Sequence, residues 1–334
     1  MQEDLRELWM VMCNYQFITY KISHYRQEVF QVETNEGLKA LKICSGREEK
    51  ILFIYHIMNH LWQKGFRKIS PPILTLSGDP YVIRKDKIYL LNDWINGEQC
   101  NFDSLEDLTV AATTLAEFHK YSSGFELTAD TKARIMTHKW ITILTERCKD
   151  LRRFSDLAIA TPTLLGEKYL LHYKFIMKMA EDSQEILAKS QYPAIASEAM
   201  EKRFFIHRDV AGRNFIMHKR AAWLIDFDYA RYDIRVVDIV RILERGLRNH
   251  KWDISSGKAV INAYNLKNPI KKEEYPVILA LLTWPQKIWR LLDRYFNSKR
   301  QWQEEGVVRK FNSNLKQIKY QNNFLKWFEK EYCR

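Results

Sequence analysis

The pattern of apolar and polar positions changes character near residue 96. Before it, Glu28-Val-Phe-Gln-Val-Glu-Thr34 alternates with a period of two, as a half-buried strand does. Leu38-Lys-Ala-Leu-Lys-Ile-Cys44 returns after the turn signal Asn35-Glu36-Gly37, and Ser45-Gly46 closes it. Residues 48–64 carry Ile51, Ile54, Tyr55, Met58 and Leu61 at helical spacing, with Gly65 as the stop. Beyond Pro71-Pro72, the runs 81–83 and 87–95 flank a polar turn at Lys85-Asp86. With a short helix over 5–14, residues 1–95 predict a small antiparallel sheet with one main helix. After Gly97 the spacing predicts helices over 105–121, 132–160 and 164–190, a strand-like island at 204–228, and helical periodicity from 237 to the end. No Gly-, Ser- or Pro-rich spacer and no repeat separates the two parts, so residue 96 marks a hinge between packed lobes, 1–95 and 96–334.

Composition narrows the class. Apolar residues make up 46% of the 334 and aromatics 13%, which suits a full core and excludes a disordered chain. The net charge of +12 favours acidic partners: nucleotides, phosphorylated substrates, nucleic acid or acidic proteins. Five scattered cysteines without a C-x-x-C speak for a reducing compartment rather than a disulfide framework. The opening Gln2-Glu3-Asp4 lacks signal-peptide character. The longest apolar run, 277–284, falls far short of a membrane span, so a soluble intracellular protein is expected.

Candidate chemistry concentrates in the island. It contains H-R-D-x-x-x-x-N at His207, Arg208, Asp209 and Asn214, then Ile225-Asp226-Phe227-Asp228. Phosphoryl transfer needs a carboxylate beside the attacking hydroxyl and oxygen ligands for the metal that bridges the phosphates. Asp209 fits the first role. A hairpin of 215–218 with 222–225 would bring Asp226 beside Asn214 for the second. His207 reads as a structural residue under this loop.

Several departures from protein kinases follow. Ala211 stands two residues after Asp209, where they carry Lys. Asp228 replaces the Gly of D-F-G, and Asp238 follows within ten residues, without an activation segment or an A-P-E. The chain resembles the aminoglycoside and choline phosphotransferase branch of the protein kinase-like fold. Within that branch, Leu115-Ala-Glu-Phe-His-Lys-Tyr-Ser-Ser-Gly-Phe125, His207 to Tyr229 and Trp284 to Tyr295 resemble the CotS family of spore-coat proteins, from near residue 25 to near residue 300.

The resemblance implies an α+β, two-lobed kinase-like fold. Residues 1–95 become the nucleotide-binding lobe, and 96–334 the helical lobe with the catalytic loop and acceptor site. It implies transfer of the ATP γ-phosphoryl group to a hydroxyl of a small molecule or sugar, with Mg2+ as cofactor. Asp209 is the implied base, with Asn214, Asp226 and Asp228 on magnesium. Lys42 in Ala40-Leu41-Lys42 would hold the α/β-phosphates, with Lys39 as its rival on the opposite strand face. Glu49 or Glu48 would pair with that lysine. Asn92-Asp93-Trp94-Ile95 would be the hinge that reads adenine through its backbone, and Asp238 would brace the catalytic loop. The family implies an endospore-forming bacterium, the mother-cell cytoplasm or spore coat as location, and other coat proteins as partners. Nucleic acid and membrane are not expected partners.

No Gly-rich loop covers the phosphates. The equivalent turn, Ile22-Ser-His-Tyr-Arg-Gln27, has no glycine. That keeps open a second reading, a catalytically weak or inactive scaffold of the coat. Other features have plainer readings. His56 and His60 suit a helix edge, and the basic stretch 132–153 around Trp140 suits a solvated helix face. The C-terminal aromatics Trp302 to Phe328 suit packing on the larger lobe. Trp284, Trp289 and Tyr295 suit either an acceptor pocket or plain core.

Overall fold

A computed structural model describes residues 2–44, 46–129, 131–298 and 302–334. Ser45, expected to help end the second strand, lies outside the described residues. The chain opens with α1 (Gln2–Met12), followed by β1 (Thr19–Arg26), β2 (Val29–Thr34), β3 (Gly37–Cys44), α2 (Glu48–Gln63), β4 (Val82–Arg84) and β5 (Lys87–Asp93). The strands form one antiparallel sheet in the order β1-β2-β3-β5-β4.

The period of two sorts this sheet into two faces. Val32, Leu41, Tyr89 and Leu91 bury against Leu8, Val11 and Met12 of α1, a small core of its own. On the other face Cys44, Ile88 and Leu90 join α2 and the main core. β1 was not anticipated. Only Ile22 of its eight residues is buried, because an edge strand with both faces largely wet gives no alternating apolar signal.

The chain passes to the larger lobe at Gly97, and β6 (Glu98–Gln99) pairs with the strand Phe215–His218 of the 215–224 hairpin. A Cβ on Gly97 would stand 2.1 Å from the carbonyl oxygen of Met217, so a side chain there would push the crossing segment off the hairpin. The larger lobe continues with α3 (Leu105–Tyr121), α4 (Trp140–Ala160), α5 (Leu164–Lys189), α6 (Tyr192–Glu201), β7 (Phe205–Ile206), β8 (Phe215–His218), β9 (Ala221–Leu224) and β10 (Arg231–Tyr232). It ends with α7 (Val236–Gly246), α8 (Ile254–Asn265), α9 (Glu274–Thr283), α10 (Gln286–Asn297) and α11 (Glu304–Tyr332). Ser104 and Thr163 cap α3 and α5 by accepting from the backbone N–H three residues on, of Asp107 and Gly166.

Three local expectations change. The helix expected from residue 132 begins at Trp140, because the stretch before it is held extended: Ile135 bridges Tyr232, and Met136 N–H donates to the Tyr232 carbonyl. Trp140 is buried and its indole N–H donates to Asp233, so it is not part of a solvated face. The C-terminal aromatics pack inward, with Phe311, Phe324 and Phe328 fully buried and Tyr332 stacked on Tyr275. Among the described residues no helix is long and apolar enough to cross a membrane.

Candidate active site

The loop between β7 and β8 is fixed from below. Asp238, in the first turn of α7, accepts the backbone N–H of His207 at 2.8 Å and of Arg208 at 2.9 Å. Arg208 adopts φ 72°, a left-handed backbone that these two bonds help hold. Burial opposes the charge on Asp238, but the hydrogen bond from His119 and the facing backbone groups keep its carboxyl below the ordinary value. The His207 ring donates from Nε2 to the Ile225 carbonyl at 3.0 Å and meets the edge of Phe227. It thereby ties the loop to the exit of the β8–β9 hairpin.

Asp209 sits on that support. Arg213 donates to its Oδ2 at 2.6 Å, and the Arg245 guanidinium lies 3.0 Å from its Oδ1. Burial pushes the Asp209 carboxyl up, but Arg245 and Arg213 outweigh it and hold it below the ordinary carboxylate value. The side-chain amide of Asn214 donates to the backbone carbonyl and the carboxylate of Asp209 at 2.7 and 2.9 Å. This leaves Asn214 Oδ1 buried without a hydrogen-bond partner among the described residues. A buried carbonyl oxygen in that condition is costly unless something accepts its lone pairs.

Asp226 and Asp228 lie across from it at the end of β9. Asp226 takes φ 66° and turns the chain so that both carboxylates face β3. Lys42 lies between them, its Nζ 2.8 Å from Asp226 Oδ1 and 2.7 Å from Asp228 Oδ1. Burial works against the Lys42 charge, yet the two carboxylates raise its pKa well above the ordinary lysine value. Lys39 points to the opposite face, as strand geometry requires, and donates to Asp93 at 2.7 Å. It is therefore committed elsewhere.

Two expectations about the cleft change. Lys42 forms no ion pair with Glu49 or Glu48, because the two aspartates already occupy its ammonium. Glu48 accepts from the Tyr81 hydroxyl, and Glu49 is exposed in the first turn of α2. In the hinge segment, Trp94 N–H is donated to the Leu38 carbonyl, the Asp93 carbonyl accepts from Ser70, and the Asp93 carboxylate faces Lys39. The backbone groups of Ile95 and the carbonyl of Trp94 carry no hydrogen bond among the described residues. Tyr25, from the glycine-free turn, meets Trp94 edge-on at 4.9 Å and draws the β1–β2 turn against the hinge.

Asp209 lies where two cavities meet. One, of about 660 Å³, runs under the sheet. Val29, Ala40 and Leu90 form its roof and back, Ile216 and Leu224 its floor, and Lys42, Asp226 and Asp228 its inner end. The other, of about 1010 Å³, opens on the far side of Asp209 and Asp228 between α2, the 132–134 stretch, α7 and α10. Glu49 faces this second cavity. Trp284, Trp289 and Tyr295 do not line it, and Trp284 is core; α10 contributes Arg290 and Arg294 instead.

The sequence reading missed Arg213 and Arg245 beside Asp209 and the arginines of α7 and α10. A signal for the latter was present. Arg241 and Arg245, and again Arg290 and Arg294, are spaced i, i+4 on one helix face, where a structural arginine more often faces an acid.

Comparisons with known proteins agree with this geometry. Residues 21–274 match the phosphotransferase enzyme family. The chain is 22% identical over 291 residues to spore coat protein S of Bacillus subtilis (strain 168), covering 86% of this chain and 83% of that protein. Among solved structures, it is similar to an aminoglycoside phosphotransferase from Alicyclobacillus acidocaldarius, with a TM-score of 0.86 and 22% identity, covering 97% of this chain and 96% of that one. A spectinomycin phosphotransferase solved with ADP and spectinomycin gives a TM-score of 0.63 at 12% identity, with 95% and 98% covered. A choline/ethanolamine kinase family protein from Mesorhizobium loti gives 0.56 at 11%, with 98% and 100% covered. At these identities the likeness shows the fold: an α+β, two-lobed, kinase-like architecture.

Proposed function

The chain belongs to the phosphotransferase enzyme family, and on that premise we propose that it transfers the γ-phosphoryl group of ATP to a hydroxyl of a small molecule or sugar. The observation that carries this reading is the position of Asp209, held ionised at the seam of two cavities. Adenine enters between Val29 and Ala40 above and Ile216 and Leu224 below, with Ile95 at its polar edge. Lys42 leaves its aspartates to meet the phosphates. Asp209 takes the proton of the acceptor hydroxyl as its oxygen bonds to the γ-phosphorus. The bond to the β–γ bridging oxygen breaks, ADP leaves with the electron pair, and Asp209 later returns its proton to solvent.

Asn214, Asp226 and Asp228 suit a magnesium ion, since the orphaned Asn214 oxygen and two carboxylates are a hard-oxygen donor set. When bound there, Mg2+ supplies neutralisation of the phosphate charge that builds during transfer.

We place the protein at the spore coat or in the mother cell that builds it, with other coat proteins as partners. The support is the likeness to spore coat protein S. A second reading, a weak or inactive scaffold of the coat, draws on the glycine-free turn and on the closed Lys42–Asp226–Asp228 cluster, which a nucleotide must open. Calorimetry with ATP separates the two. The enzyme reading expects affinity to fall at least tenfold when magnesium is chelated and in Asp226→Asn, because a charged contact supplies about 1.5–3 kcal/mol. No binding at millimolar ATP, with or without magnesium, would leave the scaffold reading.

A further inference from the structure

The second cavity has an unusual charge. Eleven arginines and lysines line it against three acids, whereas the whole chain carries 53 against 41. Basic composition alone does not produce that concentration. Two of the acids are also committed, Asp209 to Arg213 and Arg245, and Asp228 to Lys42.

The floor of the cavity decides what this charge is for. Arg231 and Arg241 are buried there and paired, with Asp233 and Glu244. Arg208, directly before Asp209, is half-buried and has no carboxylate within ion-pair distance among the described residues. Burial and the nearby Arg241 and Arg231 depress its pKa to about 9. A guanidinium held this way is waiting for an anion. Around the mouth, Arg134, Arg290 and Arg294 are exposed and likewise without a carboxylate partner among the described residues.

Planar guanidinium groups recognise phosphate and carboxylate through paired N–H donors. An amine-bearing acceptor would meet a net repulsive lining, with Glu49 as the one acid not already paired there. The volume of about 1010 Å³ lies at the upper end for small-molecule sites and leaves room for a sugar with its substituents.

Resting on the phosphotransfer reading, we propose that the acceptor is an anionic hydroxyl compound, a sugar or polyol that already bears phosphate or carboxylate. Arg208 anchors the anion beside Asp209, and Arg290 and Arg294 attract it at the mouth. The hydroxyl that reaches Asp209 receives the γ-phosphoryl group, and the product leaves with an added phosphate.

The test uses the full chain at fixed ionic strength, with glucose 6-phosphate, glucuronate, aminopropanol and an aminoglycoside as probes. Calorimetry without nucleotide reads the anion site, and ADP release with Mg-ATP reads transfer. The expected result is binding and turnover with one or both anions and neither with the amines. The two anion arms tell phosphate from carboxylate. Arg208→Met should weaken anion binding tenfold or more, with Arg208→Lys restoring part of it. The exposed pair Arg290→Met/Arg294→Met should raise KM for the anion and steepen no nucleotide dependence, and it supplies the test should Arg208→Met fail to fold. Turnover with an amine and not with an anion would overturn the proposal while leaving phosphotransfer standing. Anion binding unaffected by either variant would overturn it too. Anion binding lost in the variants, with no ADP released by any probe, would keep the anion site and sink the phosphotransfer reading.

Discussion

In the proposed nucleotide cleft Lys42 lies between Asp226 and Asp228, one cation held by two acids of the protein itself. Across Asp209, Arg208 sits half-buried among other guanidinium groups with no carboxylate of its own among the described residues. On the proposed function, the two sides of the seam thus meet the same task, binding an anion, in opposite ways. The cleft holds its one lysine between its own acids and must rearrange to admit a nucleotide. The second cavity carries its charge unbalanced and gains stability when a ligand arrives. Preorganised charge of the second kind lowers the stability of the free protein and raises affinity.

The largest effect expected is at the seam itself. Asp209→Asn should cut turnover by at least about a hundredfold, the lower end for a positioned base, and leave ATP affinity within a few fold. Steady-state kinetics beside calorimetry measure both. Unchanged turnover would mean that Asp209 only organises Arg213, Arg245 and Asn214, and that the two cavities meet there without chemistry.

The contrast between the sides predicts opposite signs in thermal melts without ligand. The pKa of Lys42 is raised in the folded state, so its charge contributes stability that is fully present at neutral pH and is lost only as pH rises through that value. Lys42→Met should lower Tm, by about 1–2 kcal/mol of stability after allowance for the partial exposure of all three groups. The pKa of Arg208 is depressed to about 9, so below that pH its charge costs the folded state stability that the unfolded chain does not lose. Arg208→Met should therefore raise Tm at pH 7. A fall in both variants would erase the distinction drawn between the two sides.

The smallest effect concerns pH. The proposed base Asp209 has a lowered pKa, so kcat/KM should stay level down to the ordinary carboxylate range and fall only below it. Arg213→Met removes one of the two cations responsible, so the acid limb should move toward neutral pH. Because Arg213 is more than half exposed, the displacement should be modest, and Arg245 should account for most of the depression.

These features were unequally legible in the sequence. His207, Asp209, Asn214, Asp226 and Asp228 occupy twenty-two consecutive positions, so their spacing along the chain nearly equals their arrangement in space. The placement of Lys42 rested on strand alternation, which sends Lys39 to the far face. The partner expected for Lys42 was misread, since the choice between Glu49 and the aspartates depends on how closely the two lobes approach, which no local pattern encodes. The cationic cavity was missed for the same reason, since the i, i+4 arginine pairs of α7 and α10 do not show that they face one another. Its residues come from α2, the 132–134 stretch, the 207–214 loop, β10, α7 and α10, and only the fold gathers their arginines and lysines around one cavity. Of the larger element errors, β1 was hidden by its wet faces and residues 132–139 by a helix-like composition that pairing with β10 overrides.

The two cores on either side of the sheet have a consequence for how the lobe breathes. β3 and β5 serve both cores, Leu41 and Leu91 on one face and Cys44 and Leu90 on the other, so their amides should exchange with solvent only when the whole lobe opens. β1 is hydrogen-bonded on one side alone, and the turn after it carries Gln27 at φ 44°, so fraying should begin there. The lysine proposed for the phosphates thus stands on the slowest-exchanging strand, and the turn that roofs it on the fastest. On the proposed function, a nucleotide enters by lifting that turn away from Trp94 while Gly97 keeps the crossing segment fastened to the 215–224 hairpin. In that arrangement the mobility a glycine-rich loop would give through its backbone comes instead from the position of β1 at the free edge of the sheet.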